Sequence, residues 1–339
     1  MSPPLPPDRL VVLAPAKINL SLHVGDKRAD GFHELESLVA FVEAGDVLRI
    51  EYADELSLAI EGVFAGELTD GEDNLVLKAA RLLSARANIN SGARMVLQKR
   101  LPVASGIGGG SADAAATLRG LTSLWKLDIS SEKLRAIAAE LGSDVPVCLE
   151  SAPAWMEGRG ERITPIPWLP DCWLLLVNPL VSVSTADVFR KLGRSFHLPL
   201  EGGSKLSLSD SEKRISGRSI VEAAPGPEKF ALRLNFSTLP QGEGGDLALL
   251  VDFLRTTSND LEAPARAIAP EINAVLAEIG CEPGVLLARM SGSGATCFGI
   301  LADENAAQAA VNSIKSRHEN WWVAAAKLAS PELGRPRSA

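Results

Sequence analysis

The chain has 339 residues, 46% of them hydrophobic, which exceeds the size at which one hydrophobic core stops growing and is ample for two. Its 34 Lys and Arg against 42 Asp and Glu leave a formal charge of −8, a balance that disfavours general attraction to nucleic acid or to an anionic membrane, so neither is an expected partner. Cys148, Cys172, Cys281 and Cys297 show no Cys-x-x-Cys spacing, and a chain this large needs no disulfides, so all are expected to be reduced core thiols.

Residues 1–9 are proline-rich and lack a basic region followed by a long apolar run, so they read as neither a secretory signal nor an anchor. The longest apolar stretch, 172–177, is far too short to cross a bilayer, and a cytoplasmic location is expected. Segments 10–14, 17–24, 47–52 and 56–60 read as strands. Helical period follows over 74–85, a strand over 93–98, then helices over 112–125 and 131–141, the last with Leu134, Ile137, Ala138 and Leu141 on one face. Pro165, Pro167 and Pro170 cluster ahead of an apolar strand at 173–178, which predicts a boundary between domains 1–167 and 168–339. Region 201–245, rich in Gly, Ser, Pro and charge, reads as surface loops. Helical period returns at 248–255, 264–279 and 304–317, alternating with strands at 285–290 and 296–301, an α+β pattern without a repeat of 20 to 50 residues.

The most informative stretch is 102–115, PVASGIGGGSADAA, where Gly106, Gly108, Gly109 and Gly110 occupy a strand-to-helix turn. A helix start offers unpaired N–H donors and partial positive charge, so a phosphate-bearing ligand is the first hypothesis. The alternative is a tight turn needing left-handed backbone angles, but three consecutive glycines at a helix entrance, each costing about 0.5–1 kcal/mol relative to alanine in regular structure, point to a backbone requirement. Known phosphate loops do not fit: no Gly-Lys occurs for a P-loop, Ser111 stands at the third glycine position of the dinucleotide fingerprint, and the protein-kinase motifs are absent. A second glycine turn at 290–295, MSGSGA, would by itself suit any hairpin.

Three motifs in order, APAKINL (14–20), the 102–115 loop and MSGSGA, resemble the GHMP kinase superfamily of small-molecule kinases over most of the chain. RADGFHEL (28–35) and GSDVPV (142–147) are most similar to its branch acting on a cytidine diphosphate conjugate of methylerythritol. The resemblance implies a two-domain α+β fold, with an N-terminal ribosomal-protein-S5-domain-2-like ATP-binding domain and a C-terminal ferredoxin-like domain. It further implies phosphorylation of that substrate's 2-hydroxyl from ATP with Mg²⁺, in the non-mevalonate route to isoprenoid precursors, by a monomer or a homodimer. Asp144 looks like the catalytic base and Lys17 like its partner; alone, each reads as a turn or capping aspartate and a solvated lysine. For ATP the resemblance implies Pro102, Val103, Ala104, Ser105, Gly106, Ile107, Gly108, Gly109, Gly110, Ser111 and Ala112, with Lys99 and Asn74 near the adenosine. Ser111 looks like the residue that helps hold Mg²⁺, or else is the helix N-cap. At the substrate it implies Asn19 near the reacting hydroxyl, His33 on the cytosine ring, Phe32, Phe189 and Thr185 lining the pocket, and Gly292 and Gly294. His33 with Glu34 is no zinc motif, since the second His is missing at Ser37. Phe32 departs from the family's frequent Tyr, keeping the aromatic face and losing a hydroxyl. Another GHMP kinase acting on a sugar, amino-acid or mevalonate alcohol, and a ligand-binding regulator that kept the fold, are the competing readings.

Overall fold

Strand β1, Arg9–Asn19, runs antiparallel along the 21-residue strand β3, His33–Ala53, and this pair is the spine of the first sheet. A computed structural model describes residues 9–29, 31–166, 169–195, 246–329 and 334–338; the predicted loop region 201–245 lies outside them. Around the spine, β2 (His23–Lys27), β5 (Gly92–Gln98) and β6 (Ala154–Gly158) pair with β3; β4 (Leu56–Glu61) lies parallel to β5, β7 (Arg162–Pro165) pairs with β6, and β12 (Arg337–Ser338) closes against β1. Helices α1 (Leu75–Ala87), α2 (Gly109–Leu124), α3 (Ser131–Leu141) and the short α4 (Val145–Glu150) pack a first apolar core on one face of this sheet.

The second sheet has the order β11 (Trp322–Lys327), β8 (Trp173–Asn178), β10 (Cys297–Leu301), β9 (Leu287–Met290), all antiparallel. Helices α5 (Thr185–Ser195), α6 (Leu247–Arg255), α7 (Glu262–Arg266) and α8 (Glu271–Cys281) lie between β8 and β9 in the chain, and α9 (Glu304–Arg317) lies between β10 and β11. Numbered within this half, the strand order 4-1-3-2 is that of the ferredoxin-like βαββαβ fold. Strand β8 is apolar on both faces: Leu174 and Leu176 enter a core shared with the first sheet, while Leu175 and Val177 enter a core under the helices. Strands covered on both faces read as continuous apolar runs, which is why 173–178 was legible.

The spine strands also supply the shared core, through a bulge. Before it, Val12 and Ala14 point into the helix-covered core; after it, Ala16 and Ile18 point into the inter-sheet core, so the alternation changes face between Pro15 and Lys17. Gly45 makes the bulge possible, since a Cβ there would stand 2.4 Å from the Ala14 carbonyl oxygen. Strands expected at 10–14 and 17–24 are therefore one continuous β1 followed by a corner and β2, and the strand expected at 47–52 is only the end of β3. The helix expected over 264–279 is two, because Pro270 has no N–H to continue the ladder and becomes the N-cap of α8. α2 begins at Gly109 rather than at 112, so Gly109 and Gly110 belong to its first turn. Three cysteines are buried free thiols as expected; Cys281 is exposed, having fallen at the outer end of α8.

Candidate functional site

The bulge in β1 turns Lys17 and Asn19 away from the inter-sheet core and toward a cavity of about 1290 Å³. Lys17 is almost wholly buried, and its Nζ lies 2.7 Å from Oδ2 of Asp144, whose side chain is 38% exposed. Asp144 stands at the N-cap position of α4, with Pro146 fixing the first turn, yet its carboxylate makes no capping bond, so the side chain is committed to Lys17. Two residues 127 positions apart in sequence thus form one ion pair at the cavity wall.

The glycine loop lies against this pair. Gly106 (φ +76°) and Gly108 (φ +64°) are left-handed, a conformation open to glycine at no steric cost, and Gly108 is the N-cap of α2. The absent Cβ of Gly108 leaves room for the aliphatic stem of Lys17, which would otherwise meet it at 3.3 Å. The Ala112 N–H makes the first helical bond, to Gly108 at 2.8 Å, so the amides of Gly109, Gly110 and Ser111 have no partner within the helix. Gly108, Gly109, Gly110 and Ser111 all line the cavity. Partial positive charge at this end of a 16-residue helix suits it to an anion.

Below the loop, Lys99 is buried with its Nζ 2.5 Å from Asp46 and 2.8 Å from Asp113. Asp46 also accepts from the amides of Arg100 (2.6 Å) and Leu101 (2.9 Å), at the entrance to the loop, while Asp113 belongs to the helix that leaves it. The cluster ties the loop's two ends together. Burial alone would lower the Lys99 pKa, but the carboxylates of Asp113 and Asp46 outweigh it and hold the ammonium above its ordinary value. Burial raises the Asp113 carboxyl to about 7.

The MSGSGA turn joins β9 to β10 as a hairpin and also meets the loop from the other half of the chain. The Ser291 hydroxyl donates to the Gly106 carbonyl (3.1 Å) and accepts from the Asn19 amide (3.0 Å), and the Thr296 amide donates to the Ser105 carbonyl (3.1 Å). A Cβ on Gly106 would stand 2.5 Å from the Ser291 carbonyl oxygen, so the two turns interlock backbone to backbone.

Also lining the cavity, the His33 and Phe189 rings stack with centroids 5.5 Å apart, and the Arg159 guanidinium lies 5.1 Å from the centroid of the half-exposed Phe32. His33 Nδ1 is 3.2 Å from the Gly25 carbonyl. A carbonyl only accepts, so Nδ1 carries the proton and Nε2 is the acceptor of the neutral ring. Thr185 shares a 2.7 Å hydrogen bond with Ser293, and Asn19, which donates to the Ser37 hydroxyl, has its Oδ1 buried without a partner.

Most residues singled out in the sequence line this one cavity, with exceptions. Ile107 and Ala112 point into apolar cores and contribute backbone only. Gly294 packs under the turn rather than lining the cavity, where Gly292 does. Ser111 lies inside the first turn of α2 and is not its cap; that position is Gly108. Asn74 lines the cavity but uses its amide to cap α1, accepting from Val76 and donating to Thr69. Lys99 lines the cavity with its charge already engaged by carboxylates. Asp46, Asp113, Ser291 and Arg159 were not anticipated, although Ser291 lies inside MSGSGA and Asp113 inside the 102–115 stretch. Among the described residues, no group of three or more His, Cys, Asp or Glu side chains is placed to hold a metal ion.

Residues 74–151 match the GHMP kinases N terminal domain and residues 238–320 the GHMP kinases C terminal domain. Glycine loop, hairpin and ion pair thus belong to a GHMP small-molecule kinase. The chain is 46% identical over 310 residues to a 4-diphosphocytidyl-2-C-methyl-D-erythritol kinase of Parvibaculum lavamentivorans, covering 91% of this chain and 95% of that one. It is 43% identical to the kinase of the same name from Rhodospirillum rubrum, covering 95% and 93%. A crystal structure of 4-(cytidine 5'-diphospho)-2C-methyl-D-erythritol kinase superposes with a TM-score of 0.67 at 31% identity, covering 94% of this chain and 99% of that one. The chain belongs to the 4-diphosphocytidyl-2-C-methyl-D-erythritol kinase family.

Proposed function

We propose that the protein transfers the γ-phosphoryl group of ATP to the 2-hydroxyl of 4-diphosphocytidyl-2-C-methyl-D-erythritol, acting in the cytoplasm on the non-mevalonate route to isoprenoid precursors. The observation that carries this reading is the Lys17–Asp144 pair, 2.7 Å apart beside the glycine loop and opening on one cavity with the His33–Phe189 stack. Asp144 accepts the hydroxyl proton as the oxygen closes on the γ-phosphorus, a role typically contributing ~10²–10⁴-fold. Lys17 keeps that carboxylate ionised and offsets developing charge on the oxygen, while the free amides of Gly109, Gly110 and Ser111 hold phosphate oxygens. Asn19 Oδ1, buried and unpartnered, is available to orient the acceptor. The Ser111 hydroxyl lines the cavity beside those amides and fits a hard cation that draws most of its ligands from phosphate and water, so it would help hold Mg²⁺, which neutralises phosphate charge when bound.

Discrimination falls to the aromatic part of the cavity wall. Cytosine presents an exocyclic amino donor, and His33 Nε2 is the acceptor that meets it, with Phe189 and Phe32 giving the ring an aromatic surface. The deciding experiment compares phosphate transfer from ATP to the cytidylated substrate, mevalonate and homoserine. Turnover confined to the first supports the proposal, and turnover on either of the others with none on the first defeats it. His33→Ala should raise KM for the cytidylated acceptor about tenfold or more with kcat little changed, matching the loss of one hydrogen bond and one stacking contact.

A further inference from the structure

Arg119 reaches all three elements that bring the reacting groups together. It stands on α2, the helix that begins at the glycine loop. Its Nη1 donates to the carbonyls of Cys148 (2.6 Å) and Leu149 (3.2 Å) and to the Ser151 hydroxyl (3.3 Å), at the C-terminal end of α4. Its Nη2 donates to the Leu13 carbonyl of β1 at 2.9 Å, just ahead of the bulge that aims Lys17. Gly334 closes over the group, since a Cβ there would lie 3.1 Å from the guanidinium carbon. The Nε is sealed from solvent without a partner.

This is an expensive way to fill space. Burial lowers the Arg119 pKa to about 10, which still leaves the side chain charged at neutral pH. Its direct partners here are carbonyl oxygens and a hydroxyl, with the charge set at a helix C-terminal end, where the backbone dipole favours a cation. An apolar side chain of similar length would pack there without the desolvation cost, so the planar, multiply donating head is the feature that needs a reason. The reason lies at the other end of α4. Asp144 precedes the first residue of that six-residue helix, and at a rise of 1.5 Å per residue the anchored end is only about 9 Å away. A helix so short transmits a displacement at one end almost rigidly to the other.

We propose that Arg119 is a positioning residue for phosphoryl transfer, clamping the C-terminal end of α4 to β1 and α2 so that Asp144 stays on the Lys17 ammonium and in line with the phosphate loop. The inference rests on the reading of Asp144 as the base. Misplacement of a reacting group by about 1 Å can cost on the order of 10²-fold in rate.

The test is a double-mutant cycle combining Arg119→Lys and Arg119→Met with Asp144→Asn, with kcat, both KM values and thermal melts measured on the full chain. In the otherwise native enzyme, Arg119→Met should lower kcat about 10–100-fold with each KM within about twofold, and Arg119→Lys, which keeps the charge but cannot reach both α4 and β1, should fall between. In the Asp144→Asn background either change should lower kcat by less than about twofold, because the group being positioned is gone. An equal loss in both backgrounds, a loss confined to KM, or an unchanged kcat in Arg119→Met would overturn the proposal. Should Arg119→Met fail to fold, the cycle with Arg119→Lys decides by the same criteria. If Asp144→Asn alone leaves kcat unaltered, the base assignment fails first and the inference falls with it, an outcome distinguishable from the others.

Discussion

Lys17 and Asp144 are each unremarkable in sequence, and each gains its meaning from the other. The pair predicts that Asp144→Asn will lower kcat by ~10²–10⁴-fold while ATP affinity, measured by nucleotide titration, stays within about threefold of the parent; unchanged turnover would remove Asp144 from the chemistry. The buried Lys99 cluster makes a different prediction. Burial raises Asp113 from 3.8 to about 7, so between those values the folded chain holds a proton that the unfolded chain has released. Stability contributed at this position therefore falls as pH rises through that window and levels off above it. Against Asp113→Asn, the parent's denaturation midpoint should decline from about pH 4.5 to pH 7, and parallel pH profiles for the two proteins would refute the assignment. Lys99 was expected near the adenosine and Asp113 lies in the glycine-loop stretch, but nothing in the sequence paired them with each other or with Asp46. Lys99, Asp46 and Asp113 are ordinary charged residues in a chain that is 22% charged, and only the fold decides which few are buried together.

At the scale of elements, the sequence was most readable where one face of a helix meets a core, as in α1, α3 and α9, and where an apolar strand is covered on both sides, as in β8. It was least readable in β3. That strand changes face partway along, opposite the bulge in β1: Val39 and Phe41 enter the helix-covered core on odd numbers, whereas Leu48 and Ile50 enter it on even ones. A strand that switches parity defeats any test for simple alternation, so only residues 47–52, beyond the switch, read as strand. The bulge itself can be probed at Gly45, where an added methyl would stand 2.4 Å from the Ala14 carbonyl oxygen and 2.8 Å from the Pro15 Cα, backbone atoms that cannot swing aside. Gly45→Ala should cost about 1–3 kcal/mol in stability by overpacking and should also lower kcat, because the same turn of the strand aims Lys17. A destabilised variant with full turnover per folded molecule would separate the bulge from the catalytic geometry.

The whole molecule is held by more than a linker between its halves. The inter-sheet core takes Ile18, Leu38 and Trp155 from one half and Leu174, Phe253 and Phe298 from the other. Arg289 of β9 crosses the junction, donating to the Leu20 carbonyl at 2.8 Å and to the Leu254 and Thr257 carbonyls at 2.8 Å. With that much shared interior, far-UV circular dichroism and tryptophan fluorescence should report one coincident unfolding transition; two separated transitions would mean that the halves are independent. Ser291→Ala should be felt in the opposite half, leaving the buried Asn19 amide unpartnered at a cost of about 1–3 kcal/mol and weakening ATP binding through the loosened Gly106 loop. An unchanged KM for ATP would show that the hairpin supports the fold alone. The chain changes sheets between β7, which ends at Pro165, and β8, which begins at Trp173; of the shared interior only the apolar run of β8 was legible, and the interlocking of the two turns left no trace that composition or period could detect.

Interlocking the two glycine turns also imposes an order on biosynthesis. Gly106 and the serine that props it are 185 residues apart in the chain, so a ribosome adding about 5–20 residues per second takes roughly 10–40 seconds between making the one and the other. For that interval the nascent N-terminal half carries an unbraced cradle. The loop reaches its final, braced form only after the distal hairpin has emerged and docked.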